Sequence, residues 1–538
     1  MRKPFIAFSI ISLLAVGAIA LLWQPVLWVL VLLVPFILLG LYDMVQTKHA
    51  IVSNFPVFGR GRYFMEFLRP KIYQYFVESD INGRPFSRIQ RSVVYQRAKK
   101  ELDTSPFGTQ LNVYEDGYEW VNHSINALDA STLEHDPRVQ IGGPGCTRPY
   151  NASLLNVSAM SYGALSKNAI MALNGGAKIG GFAHNTGEGA ISPYHQEMGG
   201  DLIWQLGTGY FGCRNKQGKF DPSQFKERAC LDQVKMIEIK LSQGAKPGHG
   251  GILPAGKNTP EIAAIRGVEP YTTVASPPAH TAFSSPTEMM EFIGQLRELS
   301  GGKPVGFKLC LGSKSEFLGL CKAMQATGIT PDFIVVDGGE GGTGAAPIEF
   351  ANSVGMPLID GLVFAYDALT GFDLKKQIKL GASGKIVTGF QIFRALALGA
   401  DFCYSARGMM MALGCIQALE CNKNNCPTGV ATQDPQLVKG LHVGDKKQRV
   451  ANFHLETIKA FVELLGATGL PHHSGLDRNQ LYSREAYNHQ IFRYDQIFPY
   501  IPTGSLLKAP YPNGFDTFMQ EATATSFVPQ ATRVVLQP

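Results

Sequence analysis

The amino-acid sequence predicts an α/β protein: a (β/α)8 barrel of the TIM type preceded by a two-helix N-terminal membrane hairpin. Three observations predict it. From about residue 151 short apolar runs alternate with helical periods, the pattern of a parallel β/α architecture. Glycine-rich turns follow several of these runs, and 58 glycines in 538 residues are more than helix and strand interiors would tolerate. Two uncharged apolar stretches, 5–22 and 26–41, open the chain, separated only by Trp23, Gln24 and Pro25.

At about 1.5 Å per residue each stretch reaches roughly 24–27 Å, enough for a bilayer core of about 30 Å once the interfacial ends are included. Arg2 and Lys3 precede the first stretch, and Lys48, Arg60, Arg62, Arg69 and Lys71 follow the second. Basic flanks mark the cytoplasmic side, so both ends are expected there, at the cell inner membrane. The alternatives are a cleaved signal peptide and a buried core hairpin. The second apolar run, and the lack of a small-x-small cleavage site before it, weigh against them.

The chain then divides into a transmembrane hairpin (1–45), a basic and aromatic extension (46–150), the barrel (151–470) and a Pro- and aromatic-rich C-terminal extension (471–538). Between residues 43 and 110 eleven Lys or Arg face six Asp or Glu. Directly after an apolar N-terminus this excess is a membrane-side collar. It lacks the interleaved aromatic and basic pattern of single-stranded nucleic-acid binding, so no nucleic-acid partner is expected. Helices are expected around 63–79 and 90–102. Nine cysteines, an odd number and scattered apart from one cluster, exclude a secreted disulfide framework and fit a reducing compartment.

Strands are expected at 155–161, 182–185, 202–206, 236–241, 272–275, 305–309, 333–336, 378–382 and 402–405, one more than a barrel needs. Helices lie between several of them, at 285–299, 313–327 and 389–398. A barrel carries its chemistry at the C-terminal ends of its strands, which directs attention to the loops after Val336, Ala382 and Ser405.

The loop Asp337-Gly-Gly-Glu-Gly-Gly-Thr-Gly-Ala-Ala-Pro347 contains five glycines, which allow close backbone approach to a flat or anionic ligand. Ala382-Ser-Gly-Lys-Ile-Val-Thr-Gly389 opens a helix, and Ser405-Ala-Arg-Gly408 follows the next strand. Two such successive loops form the usual phosphate clamp of barrel enzymes, suited to a flavin mononucleotide phosphate; tight β/α turns are the plainer reading. Cys415-Ile-Gln-Ala-Leu-Glu-Cys421-Asn-Lys-Asn-Asn-Cys426-Pro supplies three soft thiolates, which suits an iron–sulfur cluster of the three-iron kind. Zinc, the alternative alongside chance, usually takes four ligands or an open site with His, and no His lies inside the motif. Cys310, Cys321 and Cys403 lie in apolar runs as small core residues.

Residues 154–433 resemble the FMN-binding synthase domain of glutamate synthases. The resemblance rests on Met160-Ser-Tyr-Gly-Ala-Leu-Ser166, Asn185-Thr-Gly-Glu-Gly-Ala190, Gln205-Leu-Gly-Thr-Gly-Tyr-Phe-Gly212, Gln243-Gly-Ala-Lys-Pro-Gly-His-Gly-Gly251, the 337–347 loop and the cysteine cluster. Residues 55–114 are similar to a short, membrane-attached subgroup without the glutaminase domain. The resemblance implies that Met160, Ser161 and Tyr162 lie against the flavin ring, with Lys240 and Lys308 at its polar edge. It puts Gly341, Gly342, Gly384 and Gly408 along the ribityl phosphate, and counts Gln243, Asp337, Gly338, Gly389 and Arg407 among the other cofactor-binding residues. Cys415, Cys421 and Cys426 would ligate a 3Fe-4S cluster. Glu188, Lys246 and Arg266 correspond to positions that hold 2-oxoglutarate, and Arg can grip a carboxylate with two parallel bonds.

The implied activity is that of an oxidoreductase on the CH–NH2 group. A donor such as ferredoxin reduces the cluster, the cluster reduces FMN, and hydride passes to the 2-imino acid formed from a 2-oxo acid and ammonia. Two departures stand out: Ile252-Leu253 replaces the family's Gln-Leu, and His249 replaces its Glu. They leave open another amino or hydroxy acid, quinone, or a non-catalytic membrane redox subunit. With no glutaminase domain in the chain, ammonia is expected to be free or supplied by another subunit.

Overall fold

The computed structural model describes residues 1–485 and 490–530. Residues 486–489 and 531–538, part of the expected C-terminal extension, lie outside them. The chain forms two compact units, Met1–Arg88 and a second beginning at Ile89.

In the first unit, helix Arg2–Ala20 is followed by a 3-10 turn, Gln24–Val29, and helix Leu30–Val45. Two segments, Arg2–Ala20 and Gln24–Val45, are long and apolar enough to cross a membrane. They form a closed hairpin. The Phe5 ring occupies the space beside Gly40, where a Cβ would come within 1.9 Å of it, and the Arg2 guanidinium donates to the Met44 carbonyl at 2.5 Å. Helix Arg60–Ile72 and its π-helical continuation Tyr73–Val77 account for the helix expected at 63–79.

The second unit is built on a closed barrel of eight parallel strands. They are β1 (Leu155–Val157), β2 (His184–Asn185), β3 (Leu202–Leu206), β4 (Val234–Lys240), β5 (Val305–Leu309), β6 (Phe333–Asp337), β7 (Lys379–Ser383) and β8 (Phe402–Ser405). β8 closes onto β1 through pairs such as Cys403 with Leu155. The apolar run at 272–275 is the spare: Val274–Ala275 pairs antiparallel with Ile252–Leu253 in a small arm within the long excursion after β4.

Outside the barrel, the 25-residue helix Val443–Ala467 lies against helices Lys167–Gly180 and Gly389–Ala397. Glycine makes both contacts possible. A Cβ on Gly176 would come within 2.5 Å of Val450, and one on Gly389 within 2.6 Å of the Phe461 amide. The described part of the C-terminal extension straps the barrel. Leu481–Arg484 pairs with Glu119–Val121, Lys322 donates to the Met519 and Ala522 carbonyls, and the fully buried Arg478 meets Asp367 at 2.7 Å. Cys310, Cys321 and Cys403 are buried in the core, as expected of small apolar residues.

Candidate functional site

Strands that are buried on both sides are normally apolar throughout, yet this barrel carries polar residues at alternate positions. Glu238 on β4 accepts hydrogen bonds from Asn185 of β2 at 2.9 Å and from Gln205 of β3 at 2.6 Å. Burial raises the pKa of its carboxyl, opposed by Lys308 and by the bonds from Gln205, Asn185 and Tyr404. The sequence reading passed over Glu238. Its signal was a charged residue at an every-second-residue position inside an apolar run.

Above this layer, at the C-terminal ends of the strands, lies a buried cluster of charge. Lys240 ends β4 and holds Glu188, in the loop after β2, at 2.9 Å. Burial alone would raise the Glu188 pKa, but Lys240, then Arg266 and Lys246, hold it below the usual carboxylate value. Lys246 is almost fully buried, and its ammonium donates to the Gly250 carbonyl at 2.7 Å. Burial, then the charge of Lys240, pushes its pKa down to about 8, against the pull of Glu188. Arg266 donates to the Tyr162 carbonyl at 3.0 Å and lies over the Phe211 ring at 5.3 Å. Burial lowers its pKa to about 10, with Glu188 opposing. Three buried cations therefore surround one carboxylate, an arrangement that suits an anion brought in from solution.

The neighbouring glycines make room for these side chains. A Cβ on Gly207 would fall 2.5 Å from Glu188 Oε2, and one on Gly251 would fall 2.2 Å from Glu188 Oε1. A Cβ on Gly189 would fall 2.7 Å from the Arg266 guanidinium. His280, also passed over in the sequence, backs the cluster: its ring nitrogens face the Tyr210 hydroxyl and the Lys240 carbonyl, both at 2.9 Å. Burial lowers its pKa to about 4, so the ring is neutral near pH 7.

The loops after β6, β7 and β8 form the other side of the mouth. Asp337 accepts from the Gly244 amide at 2.9 Å and stands 3.6 Å from Lys308. Gly338 donates to the Ser383 carbonyl at 2.7 Å. Arg407 donates to the Glu340 carbonyl at 2.6 Å and lies beside Gly342, whose Cβ would come within 2.9 Å of it. Here backbone packs on backbone: a Cβ on Gly244 would lie 1.8 Å from the Gly338 carbonyl oxygen, and one on Gly341 would lie 2.5 Å from the Ala245 amide. Gly384 packs beside Leu358, Gly408 beside Ser405 and Gly389 on the long helix. Gln243 accepts from the Lys246 amide at 3.2 Å. Met160 and Tyr162 are buried in the loop after β1, and Ser161 Oγ lies 3.4 Å from Arg266. Tyr162 donates to Glu261 at 2.8 Å.

The cysteine loop is fastened to that same β1 loop. Gln433 donates to the Gly163 and Leu165 carbonyls at 3.1 and 2.8 Å, and Ser166 donates to the Gly429 carbonyl at 2.6 Å. Lys257, a buried residue outside every motif, donates to the Cys421 and Ala431 carbonyls, each at 2.8 Å. On the other flank, Gly344 of the 337–347 loop abuts Cys421, and a Cβ there would be 2.9 Å from it. The three thiols feel one another's charge. Burial raises the pKa of Cys421, and raises that of Cys415 to about 11. At Cys426 burial is outweighed by the Thr428 hydroxyl and the Ala431, Thr428 and Val430 amides, which lower the pKa of the thiol. Amides and a hydroxyl aimed at sulfur suit an anionic thiolate ligand. Among the described residues, the three cysteines included, no three His, Cys, Asp or Glu side chains are grouped so as to hold a metal ion.

Residues 136–471 match the family of the conserved region in glutamate synthase. The chain is 39% identical over 466 residues to the glutamate synthase large subunit-like protein YerD of Bacillus subtilis, covering 80% of this chain and 88% of that protein. It is 34% identical over 315 residues to the archaeal glutamate synthase (NADPH) of Methanocaldococcus jannaschii, 58% of each chain. It is 33% identical over 319 residues to the Bacillus subtilis glutamate synthase (NADPH) large chain, 58% of this chain and 20% of that one. With a barrel whose mouth carries the ordered motifs and a family match that extends across most of its length, this chain belongs to the glutamate synthase family.

Proposed function

We propose that this chain is an FMN- and iron–sulfur-dependent oxidoreductase that reductively aminates 2-oxoglutarate or a related 2-oxo acid with ammonia. It would act on the cytoplasmic face of the inner membrane, held there by its N-terminal hairpin and fed by a donor such as ferredoxin. The observation that carries the reading is the burial of Lys240, Lys246 and Arg266 around the single carboxylate of Glu188.

The residues present fit an anionic flavin nucleotide, and the three cysteines supply the donor chemistry that a cluster takes. Lys240, Lys308 and Arg407 bring cations to a mouth whose loops are largely backbone, as an anionic flavin nucleotide wants. Cys415, Cys421 and Cys426 offer soft donors, with Lys257 as a nearby positive charge. When bound, FMN supplies hydride chemistry and the cluster supplies single electrons.

The chain's own work is to bind and orient. Lys246 and Arg266 hold carboxylate, while Lys240 keeps Glu188 ionised beside them. Burial of the three cations, with Glu188 only partly exposed beside them, keeps most water away and strengthens each charge–charge contact. A second reading, another amino or hydroxy acid as substrate, is favoured by His249. Its ring packs edge-on against Phe350 and leaves an imidazole where the family resemblance expects a carboxylate.

Spectroscopy of anaerobically purified protein tests the proposal. Flavin bands and a cluster signal are expected, with Cys421→Ala losing the second and keeping the first. Reduced protein should be reoxidised by 2-oxoglutarate plus ammonia in preference to a panel of other acids. Folded but colourless protein would sink the reading.

A further inference from the structure

We propose that the segment 60–77 is an interfacial helix that lies on an anionic lipid surface at the cytoplasmic end of the hairpin. This inference rests on the membrane attachment proposed above and adds a second, peripheral contact to it.

Helix Arg60–Ile72 and its continuation Tyr73–Val77 run for eighteen residues without one buried side chain. Such exposure is ordinary for a polar helix, but this one is rich in large apolar groups. Phe64 and Phe67 are each 59% exposed and Phe76 is 84% exposed, and Tyr63, Met65, Tyr73 and Tyr75 are exposed as well. At 100° per residue Arg62, Glu66 and Arg69 fall on one strip, while Tyr63, Phe64, Phe67 and Leu68 share the opposite face with Arg60 and Lys71. Aromatic side chains interleaved with basic ones on one face, with a further charged strip opposite, suit a helix that lies in a headgroup layer.

Charge selects the surface. Of the four basic residues, Arg60 is met by Asp43 and Arg62 by Glu66 at 3.4 Å, which leaves Arg69 and Lys71 as the basic excess. Lys71 lays its ammonium 3.6 Å from the Phe67 ring centroid, on the aromatic side, so cation and aromatic face the same layer. The basic excess complements anionic lipid.

Position selects it too. Asp43, in the last turn of the second apolar helix, grips Arg60 at 2.6 Å and accepts from the Val57 amide at 2.9 Å. The start of the exposed helix is thereby pinned at the level where the hairpin ends. Arg2 binds Met44 at that same end. An aromatic helix fixed there is fixed at the depth of the lipid headgroups.

The test uses full-length protein in vesicles of phosphatidylcholine alone, in mixtures with phosphatidylglycerol, and in detergent. Amide exchange over 60–77 and tryptic cleavage after Arg62 and Lys71 are the readouts. At least about tenfold slower exchange is expected in the mixed vesicles than in detergent, with less protection on phosphatidylcholine alone. Phe64→Ser with Phe67→Ser should abolish the protection while the chain still resists carbonate extraction. Three results would overturn the inference: equal exchange with and without anionic lipid, protection that survives the double substitution, or protection in detergent that grows with protein concentration, which would mean that a second copy covers the face. Release of the chain by carbonate would instead overturn the membrane attachment itself.

Discussion

The two sides of the barrel mouth use glycine in opposite ways. After β2, β3 and β4, Gly189, Gly207 and Gly251 clear space that Glu188 and Arg266 then fill with charge. Around the loop after β6, Gly244 and Gly341 let two loops touch backbone to backbone, so amides and carbonyls come forward on that side. A glycine-rich sequence is thus not a single signal. One side is built to hold an anion by side-chain cations, the other to present peptide groups to a ligand, and substitutions should separate the two.

The largest effect is expected on the charged side. Glu188→Gln removes the one carboxylate that neutralises Lys240, Lys246 and Arg266 while nearly keeping its shape. Leaving one member of a buried ion pair uncompensated typically costs about 3–5 kcal/mol. The variant should unfold at lower denaturant concentration, and an added dicarboxylate should restore more stability to it than to the parent protein. If the substitution is neutral in both respects, the cations are not held as a net positive site.

A glycine pair sharpens the contrast. Gly244→Ala sets a methyl group 1.8 Å from a backbone carbonyl, whereas Gly251→Ala sets one 2.2 Å from the far end of the Glu188 side chain. Backbone cannot step aside; a carboxylate can turn. Gly244→Ala should therefore cost about 1–3 kcal/mol or more of stability in denaturant titrations. Gly251→Ala should cost less and show its effect in substrate KM. Equal stability losses would erase the distinction.

Much of this architecture is readable in the sequence, and the unread part has physical causes. Most barrel strands lie in short apolar runs, and their order follows from alternation with helices. The run at 272–275 looks the same, because a two-residue arm strand and a barrel strand bury similar side chains. What the Gly207 and Gly251 positions exclude depends on where Glu188 lies in space, which no local spacing encodes. Lys257 belongs to no motif at all, since its role comes from carbonyls far away at Cys421 and Ala431. Glu238 was readable in principle, as a charge inside a buried run, but its partners Asn185 and Gln205 sit on other strands.

The smallest effect, and the one that separates binding from stability, is a pH dependence at Lys246. Burial lowers its pKa from 10.5 to about 8. In the unfolded chain the amine keeps its proton up to the ordinary lysine range, so between about pH 8 and 10.5 the unfolded state binds more protons than the folded one. Stability contributed by this group should therefore rise with pH across that window. Binding of an anionic substrate should move the other way, because the cation that meets the carboxylate is lost as pH passes about 8. The KM for the 2-oxo acid should climb there while the denaturation midpoint, followed in parallel, does not fall for this reason. Lys246→Arg keeps its charge beyond that range and should flatten the climb. A KM that rises identically in the two proteins would assign the pH dependence to another group and leave Lys246 as a packing residue bound to Gly250.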